Sequence, residues 1–98
     1  MNKETIIAIG NQLTRDYRIA TTDEEKQVVY DKFLDEMLDY NIAKSKLEVT
    51  IKHQFYNYDL LSLGYSEPTK PYQYLEFIAI EDSSSYLNDL LVEILGNV

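Results

Sequence analysis

Lys46-Leu47-Glu48-Val49-Thr50-Ile51-Lys52 is the stretch on which the fold of this chain turns. It alternates polar and apolar residues, and Val, Thr and Ile favour a pleated strand. A longer frame reads differently. Ala43, Leu47, Ile51, Phe55, Tyr58 and Leu61 recur at helical spacing, and Gly64 supplies a C-terminal stop. No Gly or Pro interrupts the chain between Glu24 and Leu63. The helical period outlasts the alternation, so the sequence predicts a mainly α fold: one globular domain over 1–98, a bundle of four or five helices. The competing reading is α+β, with a two-stranded hairpin from 46–55 and 72–81 packed on three helices.

Toward the N-terminus, residues 22–40 read as a long amphipathic helix. Thr22 and Glu25 form a capping box, each side chain satisfying an amide that the first helical turn leaves open. Asp23 and Glu24 place negative charge where the helix dipole favours it. At about 100° per residue, Val29, Tyr30, Phe33, Met37 and Tyr40 share one arc, with Leu34 and Leu38 on its flank. The opposite arc carries Glu24, Asp31, Asp35 and Asp39, with Val28 awkwardly among them. Residues 3–19 read as a first helix on Ile6, Ile9, Leu13 and Tyr17. Its interior Gly10 marks either a close helix crossing or a weak point. The short link at Ala20-Thr21 implies an antiparallel pair.

Toward the C-terminus, Ser66-Glu67-Pro68-Thr69-Lys70-Pro71 is a loop, since two prolines in four residues break regular structure. Tyr72 to Glu81 is apolar almost all round as a helix and buried on both faces as a strand. Ser83, Ser84 and Ser85 suit the cap of a last helix, Tyr86 to Leu95, with Leu87, Leu90, Leu91, Ile94 and Leu95 inward and Gly96 as its stop.

Composition narrows the function classes. The 98 residues carry 17 acids against 9 bases, a net charge of −8. Direct binding of a nucleic-acid backbone needs a positive surface, so it is not expected. The acid is unevenly spread: residues 41–70 hold three acids and four bases, whereas residues 71–98 hold five acids and no base. There is no cysteine, which removes disulfides and thiolate chemistry and fits a reducing compartment. No apolar run approaches the ~20 residues of a membrane span, and Ile6 to Ile9 is too short for a signal-peptide core. A cytoplasmic location is expected.

Chemistry-bearing motifs are sparse. His53 is the single histidine and would have to serve any histidine-driven mechanism; no nucleophile elbow or phosphate loop accompanies it. Asp31, Asp35 and Asp39 share a helix face, but cation sites need ligands converging from a loop or several elements. No catalytic residue, metal or cofactor is expected. The nine tyrosines, against three Phe and no Trp, are the compositional anomaly. Tyrosine joins an apolar body to a polar tip and is enriched at interfaces.

These readings converge on a non-enzymatic module that binds a basic protein partner. Glu24, Asp31, Asp35, Asp39, Tyr65, Tyr72 and Tyr74 are the candidate partner-binding residues. Small acidic single domains of this kind occur among immunity proteins and phage-encoded inhibitors, a class-level analogy in which the acidic face covers a nucleic-acid-binding surface. The alternative is a homo-oligomeric assembly protein joined through the apolar faces of the third and fourth segments. A small enzyme ranks behind both.

Overall fold

The computed structural model of the chain describes residues 1–81 and 85–96. The deciding stretch is helical: α3 runs Lys44–Asn57. Burial shows why the longer period won. A strand would turn Leu47, Val49 and Ile51 to one side. Instead Leu47, Ile51 and Phe55 are 1%, 1% and 0% exposed, while Val49 is 69% exposed. Four-residue spacing buries three large side chains on one stripe, at ~1.5–3 kcal/mol each for full burial. Two-residue spacing would have placed Phe55 on the same face only by a much longer strand.

The same helix stops earlier than its period suggests. Asp59 adopts φ 55, a left-handed conformation that Asp tolerates better than most residues. A 3-10 turn over Leu60–Leu63 follows, and Gly64 at φ 105 ends it. The kink moves Leu60 into the core at 0% exposure and leaves Leu61 outside at 40%. The sequence expected Leu61 on the buried face and Gly64 as the end of the helix itself. Both shift because one residue left the helical phase at Asp59.

The would-be partner strand is also a helix. α4 spans Pro71–Ile80, with proline in its first turn. Gln73 Oε1 accepts from the amides of Thr69 (2.7 Å) and Lys70 (3.2 Å), which closes the helix start. Among the described residues there is no strand, and the α+β alternative falls. α4 packs against each of the other four helices, which its all-round apolar surface requires. It, and not the long amphipathic α2, is the element at the centre.

α1 (Lys3–Ile19), α2 (Asp23–Leu38) and α5 (Tyr86–Leu95) surround it. Thr22 caps α2 as expected, its hydroxyl accepting from the Glu25 amide at 3.1 Å. The other end closes through Asn41 at φ 63, with Asn41 N–H to Leu38 O (2.9 Å) and Ile42 N–H to Met37 O (3.2 Å). That pairing is a Schellman motif with Asn in the left-handed position. Tyr30, Phe33, Leu34 and Met37 face inward, whereas Leu38 is 46% exposed. Gly10 resolves as a close crossing: a Cβ there would stand 3.3 Å from Leu91 Cδ1 of α5. Ser83 and Ser84, expected to cap α5, lie outside the described residues; Ser85 holds the cap position without a side-chain bond. Gly96 follows Leu95 in right-handed geometry, its amide donating to Val92 O at 2.7 Å. Among the described residues, no helix is long and apolar enough to cross a membrane.

Candidate functional site

The outer face of α2 holds the acidic candidates where the helical projection placed them. Glu24, Asp31, Asp35 and Asp39 are all exposed. Asp35 Oδ1 meets Lys44 Nζ at 2.7 Å, a bond that raises the lysine above its ordinary value. Asp31 Oδ1 accepts from Gln27 Nε2 at 2.9 Å. Two apolar side chains stand in this face, Val28 at 64% and Leu38 at 46% exposure. A shallow depression of about 430 Å³ lies among Val28, Asp31, Asp35 and Asp39.

The tyrosine candidates part company. Tyr72 is 1% exposed and belongs to the interior. Tyr65 and Tyr74 are half-buried on the seam of α3 and α4, where Tyr74 packs edge-on to Phe55 at 5.3 Å and Tyr65 lies 5.1 Å from Phe77. The Tyr56 hydroxyl donates to Glu67 and lies 3.4 Å from the Tyr74 hydroxyl. The Glu67 contact, then the Tyr74 contact, pushes the Tyr56 phenol well above its ordinary range. Lys52 Nζ sits 5.7 Å from the centre of the Tyr74 ring, an internal cation–π contact. Farther round, Tyr58 and Tyr86 stack at 4.6 Å and 7°. Burial, and then Asp89 and Glu93, push the Tyr58 phenol up to about 12.

One exposed row runs along α3. Glu48, Lys52 and Tyr56 follow one another at i+4, a run of about 12 Å. Its start lies near Tyr30, whose phenol is pushed up to about 12 by burial, then by Glu48 and Asp31. Its end carries Tyr56 with Tyr74 and Glu67. Glu24 lies at the far end of α2, and Tyr72 is on no surface.

What sequence reasoning missed is a polar junction joining α1, α2 and α4. Asp23 Oδ1 accepts from Tyr72 Oη at 2.6 Å, and Asp23 Oδ2 meets Lys70 Nζ at 2.9 Å. The Tyr72 and Lys70 bonds hold this carboxyl below the usual carboxylate range. Burial, then the bond to Asp23, pushes the Tyr72 phenol up to about 12. Tyr17 Oη donates to the Tyr72 carbonyl at 3.3 Å, and burial, with the charge of Glu76, pushes that phenol far above its ordinary value. Glu76 is 6% exposed and meets Lys26 Nζ at 2.8 Å. A signal existed: Glu76 is the single charge between Tyr72 and Ile80. Every group here has its partner, and among the described residues no buried side-chain polar atom is left unpaired. The junction clamps three helices.

His53 is exposed on α3. Among the described residues, no three His, Asp or Glu side chains converge as a metal-ligand set. No family model, curated protein or solved structure matches this chain.

Proposed function

We propose that this five-helix acidic bundle is a non-enzymatic binding module that covers a basic surface of a partner protein, as a stoichiometric inhibitor or antagonist of the immunity or anti-defence type. The observation that carries the reading is the composition of the α2 face. Val28, 64% exposed, stands among these carboxylates, and Leu38, 46% exposed, lies at the edge of the row. A docking face has a use for them, because apolar anchors inside a charged rim are how interfaces combine affinity with orientation. The carboxylates steer a basic partner, and a basic nucleic-acid-binding surface is the complementary target. We assign Tyr65 and Tyr74, on the seam of α3 and α4, as further partner contacts.

The test is the association rate of a captured partner with wild-type protein and with the triple variant Asp31→Lys, Asp35→Lys, Asp39→Lys. We expect the reversal to slow association about tenfold or more, and added salt to slow the wild type in the same sense. Unchanged kinetics in the reversed protein would sink the electrostatic reading. The competing assembly through the third and fourth segments loses its support, because Leu47, Ile51, Phe55, Leu75 and Ile78 are buried within one chain.

A further inference from the structure

We propose that the outer face of α3 is a second docking surface, which takes a short acidic segment of another protein with an apolar side chain between its carboxylates. Val49 marks it. At 69% exposure it is the most exposed of the large apolar side chains described. On a helix, a side chain meets its neighbours three and four positions away. For Val49 these are Ser45, Lys46, Lys52 and His53, all exposed and none of them acidic. Val28, its counterpart on α2, has Glu24, Glu25, Asp31 and Lys32 at the same spacings. The two exposed valines therefore stand in rings of opposite charge.

The lysines of this ring are open to a carboxylate. Lys44, at the start of the helix, is already bound to Asp35 at 2.7 Å. Among the described residues Lys46 and Lys52 form no ion pair, and Lys52 rests over the Tyr74 ring at 5.7 Å. Two acids border the face. Glu48 lies about 100° round the helix from Val49, near Tyr30, whose phenol its charge helps to raise. Glu67 lies past the C-terminal end of the row, engaged by the Tyr56 hydroxyl. From Lys46 to His53 the patch runs about 10 Å, and that reach selects the partner. A nucleic-acid strand repeats its charge along its length and would run from the patch onto Glu48 or Glu67. A short peptide segment ends where the patch ends. Its carboxylates meet Lys46 and Lys52, and its apolar side chain covers Val49. The net charge of −8 slows an acidic partner at long range, so affinity rests on these close contacts. The inference goes beyond the reading of the α2 face, needs none of its carboxylates, and is tested without its partner.

Backbone amide NMR shifts of the full chain test it, with a defined probe: an end-blocked Gly/Ser peptide carrying one Asp-Asp-Leu-Asp-Asp run. The expected result is saturable shifts centred on the amides of residues 45–53. Lys46→Glu with Lys52→Glu in one variant should weaken binding about tenfold or more, and Val49→Ser about fivefold. Helicity stays unchanged in both, because the substituted side chains are exposed. The same peptide with Asn in place of Asp should bind about tenfold more weakly or worse. No shift on α3 at millimolar peptide overturns the inference, and so do shifts that the lysine reversal leaves intact. Oligothymidylate that saturates the same amides more tightly than the peptide also overturns it, by making the face a nucleic-acid site.

Discussion

α2 uses the same residue types in opposite ways at its two sides. On the side toward α4, the exposed Asp23 and the part-buried Lys26 reach Tyr72, Lys70 and Glu76, and these contacts tie α2 to the central helix. On the outer side, Glu24, Asp31, Asp35 and Asp39 lie in water with at most one local partner each. The difference is one of surroundings, not of chemistry. A carboxylate held by a phenol and an ammonium, as Asp23 is, has a fixed geometry and a shifted proton affinity. A carboxylate in solvent retains the freedom to meet a partner. The first group ties helices together, and the second is the one we propose for recognition.

Mutations can break that contrast, and the largest effect is expected inside. Lys26→Ala leaves Glu76 buried without its cation. We expect a loss of about 2–3 kcal/mol, below the usual figure for a buried pair because Lys26 keeps a quarter of its side chain in water. The double variant Lys26→Met, Glu76→Leu should recover to within about 1 kcal/mol of wild type, since a packed apolar pair removes the desolvation cost along with the attraction. Chemical denaturation of both proteins checks this. A double variant as weak as Lys26→Ala would show that the pair does more than neutralise itself.

Tyr72→Phe comes next. It removes the donor to Asp23 while preserving the buried ring, and should cost about 1–2 kcal/mol by the same measurement. The outer face should behave differently: Asp31→Lys, Asp35→Lys and Asp39→Lys should each change stability by about 0.5 kcal/mol or less. A much larger loss at any of them would transfer that residue to the structural side of the comparison.

Proton linkage sharpens the contrast at both ends of the pH scale. Asp23 and Glu25 bind protons more weakly in the folded chain than in the unfolded one, Asp23 through Tyr72 and Lys70, Glu25 through Thr21 and Thr22. Their contribution is complete above the ordinary carboxylate value of about 4 and is lost as pH falls through the folded values. Thermal melts between about pH 5 and pH 2 should show it, and Asp23→Asn should flatten the slope. Tyr30, Tyr58 and Tyr72, raised to about 12, favour their neutral forms when folded. That contribution is whole below about pH 10 and disappears as pH rises through 12. Ultraviolet titration should find these phenols ionising late, together with unfolding.

Much of this was legible in the chain. The capping box at Thr22, the inward set of α1, the leucines of α5 and the exposed acid row all follow from local chemistry and a period of 3.6 residues. Local rules failed where one residue changed the phase. Asp59 left the helical region, exchanging Leu61 for Leu60 in the core, and nothing in Tyr58-Asp59-Leu60 announces that step. Tyr72 was read as a surface tyrosine, because composition shows that a ring has a polar tip and not which way the tip points. Glu76 was legible as an oddity but not as a partner of Lys26, fifty residues away.

The sequence by itself determined the helical class, the limits of most helices and the exposed acid of α2, since periodicity, caps and charge act within a few residues. Tertiary structure alone decided that α4 is the central helix, that Tyr72 reaches Asp23, and that Glu76 is buried against Lys26. Those outcomes depend on which distant surfaces meet, and the free energy of burying them belongs to the pair and to neither segment alone.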